Sequence, residues 1–507
     1  MHDSILVRRA SMNEQKKLGY GSFFCCLLVV FCFCSLLTPY LGPLPALNFQ
    51  VSVGVNDGLN MLARKETKSS QQIFGGNQDL GMSSNGSSNV SLQVGSSTSP
   101  HTSTDSIASS GTQNAEAPTE EITVPKKMQI CNTGEPKTEF CEIEMEVRID
   151  GNSSSVFTVS SQTGNTSSWS IKPYPRKQDP KAMGKVKSWS VKSVLSNQEI
   201  PKCTKVHNVP AVVFSLPRFV GNIFHDFTEV LIPLYITSQQ YNGEVQFLAS
   251  EKPQWWIEKF QEVLKGLTKY EVMDIDKEIE EVHCFPSATI GLKRDTREYI
   301  IDPLKHSCSM RDFRALIRNG YSLKRSKAIK LNDDQKQKPR LLIISRRRTR
   351  SFMNIEEISK MAKSLGYEVI VTEAEKNVTK FAVLVNSCDV FMGVHGAGLT
   401  NMVFLPENAI LIQIVPYGLF QWIATIDYAD PEKDMNIKYL QYDSGKNEST
   451  LIKQYPLEHA VFTDPSSIWE RGWDAYRAVY LDQNVNLDVN RFRPTLLKAF
   501  DLLRDDQ

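Results

Sequence analysis

The residues best suited to chemistry form three short clusters of arginine, histidine, glycine and carboxylate side chains. The first follows an apolar run, Val390 to Val394, and reads His395-Gly396-Ala397-Gly398 before apolar residues resume at Leu399. A buried strand, a glycine turn and a short helix in this order bring backbone N–H groups close to a bound phosphate. Gly396 and Gly398 remove side chains that would block the approach, and His395 adds a donor. A tight turn of an α/β sheet with a satisfied histidine fits this stretch alone about equally well.

The second cluster is the basic run Ser345-Arg-Arg-Arg-Thr-Arg-Ser-Phe-Met-Asn354. It lies between a predicted strand, Arg340–Ser345, and a predicted helix from 354 to 365, which has Asn354 as N-cap. Arginines at the carboxyl end of a strand and just before a helix can bind a phosphate that also lies over the helix N-terminus. This position favours a diphosphate clamp over a solvated basic run. A nuclear signal is excluded by the membrane topology predicted below.

The third cluster is His225-Asp226, with Glu229 on the same face of a predicted helix. An imidazole or a carboxylate here could deprotonate a hydroxyl group of an acceptor. A histidine that only caps the start of the helix is an equally good interpretation. The pair Asp274 and Asp276 has the spacing of a metal-binding Asp-x-Asp pair, but it lies in a charged run where such a match arises by chance, and we reject it as a metal site.

Length and composition limit the class of protein. The chain has 507 residues, 41% of them hydrophobic, which is enough for two or three domains with real cores. Its formal net charge of +1 excludes a general nucleic-acid binder, which needs a strong basic excess.

The N-terminal region predicts a membrane anchor. Four basic residues among the first seventeen precede an uncharged, largely apolar run from Leu18 to Leu41. About twenty apolar residues span a bilayer, and basic residues on the N-terminal side keep that end cytosolic. We therefore predict a single-pass signal anchor, with a cleaved signal peptide as the alternative.

The anchor is followed by a predicted stem. Half of the residues from 83 to 114 are serine or threonine, a composition that cannot bury enough apolar surface to order itself. Asn-x-Ser/Thr sequons fit a lumenal position and are predicted glycosylation sites. They occur at Asn85, Asn89, Asn152, Asn165, Asn377 and Asn447.

Six cysteines lie beyond the anchor, and an oxidising compartment favours disulfides among them. Cys131 and Cys141 are the best pair on proximity. No Cys/His spacing indicates zinc.

From about residue 126 the chain alternates strand and helix patterns, which predicts an α/β fold. The first half has predicted strands at 211–216, 244–248 and 271–275, with helices between them. The second half has strands at 340–345, 368–372, 390–394 and 409–415, and a polar linker at 332–339 separates the halves. Two such domains would bind a ligand in the cleft between their strand ends.

The residues from about 130 to 505 resemble plant glycosyltransferase family 61, which contains xylan arabinosyl- and xylosyltransferases of the Golgi. The resemblance rests on four stretches, of which the third is the most specific. They are Gly221-Asn-Ile-Phe-His-Asp-Phe227, Ser345–Arg350, Val394-His-Gly-Ala-Gly-Leu-Thr-Asn401 and Phe404-Leu-Pro-Glu407.

The resemblance implies a GT-B-like fold of two Rossmann-like domains facing a cleft, a nucleotide-sugar donor, inversion at the anomeric carbon and no catalytic metal or other cofactor. It assigns donor binding to Arg346, Arg350, Asn354, His395, Gly396, Ala397, Gly398, Asn401 and Glu407. It leaves His225 and Asp226 as alternative catalytic bases. The chain is predicted to contain a cytosolic tail at 1–17, the anchor at 18–41 and the stem at 42–125. An acceptor domain is predicted at 126–331, and a nucleotide-sugar domain that ends in a helix is predicted at 332–507.

The expected function is transfer of a pentose from a UDP-sugar to the xylan backbone by a type II Golgi membrane protein with a lumenal catalytic part, in cell-wall biosynthesis. Xylosyl and arabinofuranosyl transfer both fit. Alternatives are transfer to a protein N- or O-glycan and a non-catalytic Golgi scaffold that holds partner glycosyltransferases. One departure bears on donor or acceptor choice: relatives tend to have Gly-Gly-aromatic-Thr where this chain has Pro217-Arg218-Phe219-Val220.

Overall fold

The computed structural model describes residues 130–160, 167–195, 197–217, 219–332, 337–375 and 377–504. The predicted tail, anchor and stem lie outside these ranges, and so do Arg218 and the sequons at Asn85, Asn89 and Asn165. In the part that is described, no helix has the length and apolar character needed to cross a bilayer.

The fold is mixed α/β and contains three sheets. The strands in chain order are β1 (Ile130–Asn132), β2 (Phe140–Ile143), β3 (Val147–Asp150), β4 (Ser155–Ser160), β5 (Ser167–Ile171), β6 (Trp189–Leu195), β7 (Lys205–Val206), β8 (Ala211–Ser215), β9 (Gln246–Ser250), β10 (Met273–Asp274), β11 (Val282–Phe285), β12 (Ala288–Ile290), β13 (Arg340–Ile344), β14 (Glu368–Thr372), β15 (Val390–Val394), β16 (Ile410–Val415) and β17 (Lys438–Asp443).

The α-helices are mostly short. They are α1 (Pro180–Met183), α2 (Ile223–His225), α3 (Ile232–Ser238), α4 (Gln254–Lys259), α5 (Gln261–Leu267), α6 (Pro303–His306), α7 (Met310–Gly320), α8 (Ile355–Ser364), α9 (Val378–Asn386), α10 (Gln421–Ala424), α11 (Glu432–Met435), α12 (Ala460–Thr463), α13 (Pro465–Glu470), α14 (Trp473–Tyr476) and α15 (Val489–Leu502). A π-helical turn, Asp226–Leu231, joins α2 to α3, and a 3₁₀ helix, Ala397–Phe404, follows β15.

The second half of the chain contains a five-stranded parallel sheet in the order β14-β13-β15-β16-β17. Its central strands read as unbroken apolar runs because both faces are covered, and every residue of β15 and β16 is buried. The predicted strands at 340–345, 368–372, 390–394 and 409–415 are confirmed to within one residue. Helix α8 begins after Asn354, as predicted.

The first half is built differently from the predicted Rossmann-like arrangement. One sheet has the order β1-β2-β12-β8-β9-β10, and the four strands from β12 to β10 are parallel. Helices cover one face of this sheet, and a second, mixed sheet (β5-β6-β4-β3-β11-β7) covers the other. Trp189 of the second sheet and Val213 of the first belong to the apolar layer between them. The prediction of α/β alternation is confirmed for β8 to β10, but it missed this second sheet.

Two disulfides lie in the first half. Cys131 is bonded to Cys141, as predicted, and ties β1 to β2. A second bridge joins Cys203 to Cys284. The expectation of disulfides among all six cysteines is wrong for Cys308 and Cys388, which are free and buried. Both pack as small apolar side chains in the main hydrophobic core.

That core runs without interruption from the first half into the second. Phe227, after α2, makes edge-to-face contacts with Phe313 of α7 and with Phe404, at ring-centroid distances of 6.3 and 6.0 Å. Arg314 of α7 is 2% exposed and reaches across this junction. Its guanidinium donates hydrogen bonds to the carbonyl oxygens of Val403, Leu405 and Met435.

We expect Arg314→Met to destabilise the protein strongly, because it keeps the apolar stem but leaves three buried carbonyl groups without donors. The free energy of unfolding should fall by about 3 kcal/mol or more, since each unpaired buried group costs roughly 1–3 kcal/mol. Chemical denaturation measures the change. Arg311→Met, on the exposed side of the same helix, is the matched control and should change stability little. Equal losses in the two variants would contradict the role given to Arg314.

Candidate active site

The candidate site lies where the strand order of the C-terminal sheet reverses. From β13 the chain goes outward to β14 and then returns to β15 on the other side of β13. Ligands of open α/β sheets bind beyond the carboxyl ends of the strands at such a switch point. Arg346 follows the end of β13 and His395 follows the end of β15, so the sheet brings the two predicted clusters side by side.

Two guanidinium groups converge on the backbone of Gly396. A Cβ atom at this glycine would lie 2.7 Å from Nη1 of Arg350 and 3.0 Å from Nη1 of Arg346. The φ angle of Gly396 is +143°, which side-chain-bearing residues rarely adopt. Glycine is therefore required here both by its conformation and by the close approach of the arginines.

The two arginines are held by backbone groups. Arg346 Nε donates to the carbonyl oxygen of Thr349 (2.9 Å), and Arg350 Nη1 donates to that of His395 (3.1 Å). The backbone N–H of Arg350 donates to the carbonyl oxygen of Gln483 (2.7 Å). Arg350 itself has a φ angle of +55°, in the left-handed region. This backbone conformation in the tight loop after β13 directs its side chain toward Gly396.

Neither guanidinium forms an ion pair with a carboxylate of the described residues, whereas neighbouring Arg347 points outward to Glu373 (3.0 Å). Burial lowers the pKa of Arg346. Burial and the nearby charge of Arg346 lower the pKa of Arg350 to about 10. Arg350 Nε is buried and has no hydrogen-bond partner within the described ranges. Two half-buried guanidinium groups that form no ion pair within the described ranges are suited to binding an anion.

His395 is a neutral hydrogen-bond donor in this arrangement. It is 4% exposed, and burial together with the charges of Arg350 and Arg346 lowers its pKa to about 3. Tyr439 donates to Oε1 of Gln413 (2.6 Å), and Gln413 Nε2 lies 2.7 Å from Nδ1 of His395. This relay makes Nδ1 the acceptor, so the ring proton is on Nε2.

The remaining predicted donor-binding residues lie in two different places. Ala397 and Gly398 are half-exposed beside Gly396, and the Asn401 amide caps the carbonyl oxygen of Gly398 (2.8 Å). Asn354 instead binds the backbone of Leu487 with both ends of its amide. Glu407 precedes β16, at the opposite edge of the sheet from His395, and contacts Arg318 (3.4 Å). The structure thus groups Arg346, Arg350 and the 395–401 turn, and it places Asn354 and Glu407 outside this group.

The cluster of the first half lies on the π-helical turn after α2. Such turns widen a helix locally and recur at functional sites. Nδ1 of His225 lies 2.7 Å from Oε1 of Glu229. Glu229 also accepts hydrogen bonds from the Tyr174 hydroxyl and from Arg176. Burial opposes ionisation of Glu229, but the hydrogen bond and charge of His225 and the charge of Arg176 outweigh it and lower its pKa to about 2.

A carboxylate on Nδ1 fixes the histidine tautomer, so that Nε2 of His225 is the basic nitrogen. Asp226, the alternative base, has a different environment. It is fully buried, and its carboxylate accepts hydrogen bonds from Gly221 N (2.7 Å), Trp256 Nε1 (2.8 Å) and Lys259 Nζ (2.7 Å). These bonds give Asp226 a structural role in the loop that precedes α2.

Aromatic rings connect the two clusters. Phe224, next to His225, contacts Tyr428 at a centroid distance of 6.3 Å, and Tyr428 contacts His395 at 5.8 Å. The Tyr428 hydroxyl donates to the carbonyl oxygen of Gly396 (2.9 Å). Helix α2 also packs directly on the 3₁₀ helix after β15. The histidines of the two halves therefore flank one aromatic patch.

Sequence reasoning missed Asp427, which precedes Tyr428. Burial, together with the charge of Glu298, raises the pKa of this carboxyl group well above its ordinary value. A carboxyl group with a raised pKa beside a candidate site is itself a functional candidate. The sequence around Asp427 gives no indication of a functional site, because this residue lies in a helical segment without glycine or basic neighbours.

The rejected Asp-x-Asp pair is engaged with protein groups. Asp276 accepts hydrogen bonds from Lys187 Nζ (2.8 Å), Ser250 and the backbone of Glu251, and Asp274 pairs with Lys277 (2.9 Å). Within the described ranges, Glu146, Cys203 and Cys284 form the single group compact enough to hold a metal ion, but the two cysteines are joined in a disulfide. The sequon asparagines Asn152, Asn377 and Asn447 are exposed.

The low pKa of His395 predicts a pH-dependent stability. The unfolded chain binds a proton on this residue at about pH 6.5, whereas the folded protein does so only near pH 3, so acidification through this window favours unfolding. Between pH 7 and pH 5 the wild type should lose about 2 kcal/mol more stability than His395→Gln, which cannot titrate. Denaturation curves at several pH values measure the difference. Parallel pH dependences in the two proteins would show that His395 is not held neutral by the fold.

Comparison with known proteins identifies the family of the chain. The family model described as Glycosyltransferase 61 matches residues 221–412, a range that includes His225, Arg346, Arg350 and His395. Alpha-1,3-arabinosyltransferase XAT2 of Oryza sativa subsp. japonica is 46% identical over 383 residues, which cover 74% of this chain and 65% of the relative. The chain therefore matches slightly less than two thirds of that relative's length.

Two further relatives are matched over more of their length. Beta-1,2-xylosyltransferase XYXT1 of the same rice is 41% identical over 401 residues, covering 75% of this chain and 86% of the relative. Xylan glycosyltransferase MUCI21 of Arabidopsis thaliana is 31% identical over 393 residues, covering 73% and 78%. On this identity and coverage, the chain belongs to the glycosyltransferase 61 family.

Proposed function

We propose that the protein is an inverting glycosyltransferase that transfers a pentose from a UDP-sugar to a hydroxyl group of a xylan backbone. The observation that carries the proposal is the pair of half-buried arginines at Gly396, which face a switch point without a carboxylate partner in the described part of the chain. The names of the relatives, arabinosyl- and xylosyltransferases, support a pentose as the transferred group.

In the proposed reaction the diphosphate of the donor binds to Arg346, Arg350, Nε2–H of His395 and the backbone of the 396–398 turn. The acceptor oxygen attacks the anomeric carbon as the bond from that carbon to the diphosphate oxygen breaks. UDP leaves with the additional negative charge, and the acceptor proton passes to the base. Preorganised donors stabilise the developing charge more in the transition state than in the ground state. The two guanidiniums supply positive charge that a divalent cation would otherwise provide, so we propose that no metal is required.

We propose His225 as the base, with Glu229 as the residue that positions it. The Glu229 carboxylate holds Nδ1 and presents Nε2 as the acceptor, and it stabilises the imidazolium that forms. Asp427 is the second candidate for the base, because its carboxyl group has a raised pKa and it adjoins in sequence Tyr428, which contacts both Phe224 and His395. Both halves thus contribute to one reaction in a GT-B-like arrangement, which we also propose.

The cellular location is part of the proposal. A type II Golgi membrane protein would place residues after the anchor in the lumen. The Cys131–Cys141 and Cys203–Cys284 bridges and the exposed sequons Asn152, Asn377 and Asn447 fit an oxidising, glycosylating compartment.

We expect Arg346→Ala and Arg350→Ala each to lower kcat/KM by roughly a hundredfold, because each removes one charged donor to the leaving group. UDP release with UDP-xylose or UDP-arabinofuranose and xylan oligomers measures the rate, in the presence and absence of EDTA. Arg347→Ala is the matched control, because Arg347 lies in the same basic run but is exposed and paired with Glu373. Full activity in both Arg346→Ala and Arg350→Ala would contradict the proposal. UDP binding without turnover over the whole panel would support a non-catalytic scaffold.

A pH profile tests the base. His225→Ala should lower kcat by roughly 10²–10⁴-fold. Glu229→Gln should lower kcat by a smaller factor, because it leaves the His225 ring in place and removes only the carboxylate that holds Nδ1. Glu280→Gln, an exposed carboxylate of the first half, is the control and should leave the profile unchanged. Loss of the acidic limb in Asp427→Asn, with His225→Ala still active, would assign the base to Asp427.

A further inference from the structure

Three tryptophans form a partly exposed cluster, with Trp422 after β16 and the other two after β17. Trp469 lies between the other two, with centroid distances of 5.5 Å to Trp422 and 6.1 Å to Trp473, both edge to face. Trp473 is 45% exposed, and Trp422 and Trp469 are half-buried. We call these residues the tryptophan cluster. Single exposed apolar residues are common on protein surfaces, but three adjacent indoles form a contiguous patch of a kind associated with binding.

The members of the cluster differ in their structural role. Trp469 packs on Tyr476 (4.9 Å) at the edge of the local hydrophobic core and supports the fold. Trp422 and Trp473 are not part of that core. Trp473 has one face stacked near Tyr476 (5.9 Å, 26° between the ring planes). Its remaining exposed surface is therefore available to a ligand.

Aromatic contacts connect the cluster to the candidate site. His395 contacts Phe420 at 5.7 Å, Phe420 contacts Tyr476 at 5.4 Å, and Tyr476 contacts both Trp469 and Trp473. The cluster is thus two rings beyond His395, on segments that leave the carboxyl ends of the parallel strands β16 and β17. This is the same edge of the sheet at which the arginines lie.

An ion pair places the cluster next to the first half as well. Asp474, adjacent to Trp473, pairs with Lys181 of α1 at 2.9 Å. The same segment contains Asp179, whose carboxylate holds Arg176 (2.9 Å), and Arg176 contacts His225 and Glu229. Trp473 therefore lies where both halves contribute to the rim of the site, at some distance from the proposed base.

Indole rings suit a sugar chain at such a position. A pyranose ring presents C–H groups on its faces and hydroxyl groups around its rim, so it can stack an apolar face on an aromatic ring while its hydroxyls remain in water. Recognition of the nucleotide-sugar donor needs positive charge, which Arg346 and Arg350 supply, whereas the three indoles of the tryptophan cluster are uncharged. The patch thus fits a neutral polymer better than it fits a nucleotide.

We infer that the tryptophan cluster is a distal subsite that binds sugar units of the acceptor polysaccharide some distance from the reacting hydroxyl. The inference rests on the proposed function and extends it, because it predicts that acceptor length, and not only acceptor chemistry, determines the efficiency of transfer. The occupant is a chain of neutral pyranose units such as a β-1,4-linked xylan.

Acceptor length provides the test. With the full chain in its membrane-anchored form, Trp473→Ala and Trp422→Ala should raise the KM for long xylan roughly tenfold, which corresponds to the loss of one stacking contact. Their kcat, and their kcat/KM for xylobiose, should stay at the wild-type values, because a disaccharide does not reach the cluster. Trp473→Phe should restore most of the affinity for long xylan.

Tyr270→Ala is the matched control. Tyr270 is a 38% exposed aromatic residue that precedes β10, at the amino edge of the first-half sheet, and it should have no effect on either acceptor. Equal changes in KM for xylobiose and long xylan, or an equal effect of Tyr270→Ala, would overturn the inference.

A second measurement separates this inference from the proposed function. Affinity electrophoresis in gels that contain soluble xylan reports binding without turnover. Retardation of the wild type that is lost in Trp473→Ala supports the subsite even if no UDP-sugar is turned over, which would count against the proposed function alone. Transfer to long xylan with identical retardation and KM in wild type and Trp473→Ala would uphold the function and reject the subsite.

Discussion

The structure depends on keeping two positive charges close together without a counter-ion from the described residues. Arg346 and Arg350 both approach Gly396. The charge of Arg346 lowers the pKa of Arg350, and the charges of both arginines lower the pKa of His395. Two like charges held close together repel each other, and several neighbouring features maintain the arrangement despite this repulsion. The loop after β13 is tied to the segment at Gln483, one residue adopts a left-handed conformation, and His395 is held neutral so that it does not add a third charge. In the proposed function, a bound diphosphate would relieve this repulsion, and the relief would contribute to the free energy of binding.

A second constraint is the junction between the halves. Phe227, Phe313 and Phe404 share one apolar core, and Arg314 donates to three carbonyl groups across it. The proposed base and the diphosphate site therefore lie on elements that are packed against each other. Only Phe224 and Tyr428 separate the ring of His225 from that of His395. Such packing fixes the distance between the two groups more firmly than a flexible linker between separate domains would.

Much of the C-terminal half could be predicted because its sequence is locally consistent. Apolar runs of strand length, a glycine turn and a helix that starts after Asn354 all agree on one parallel sheet, and the switch point brings Arg346 to His395. The second sheet of the first half could not be found in this way. Strands β3 and β6 alternate apolar and polar residues over only a few positions, and their apolar residues are buried because another sheet covers them. Tyr428 also reaches the site through long-range packing that no local pattern encodes. Asn354 and Glu407 lie close to the motifs in sequence, but their side chains do not lie with the arginines in the structure.

The disulfide at Cys131 has a mechanical consequence. The described fold begins at Ile130, and the cross-link to Cys141 lies one residue further on. Any pulling force that arrives along the preceding residues is transferred at this covalent bond to β2, which is hydrogen-bonded to β12 inside the sheet. Strand β1 therefore cannot be peeled away progressively from its end. The cross-link thus protects this edge of the sheet from unravelling when the chain ahead of it is pulled.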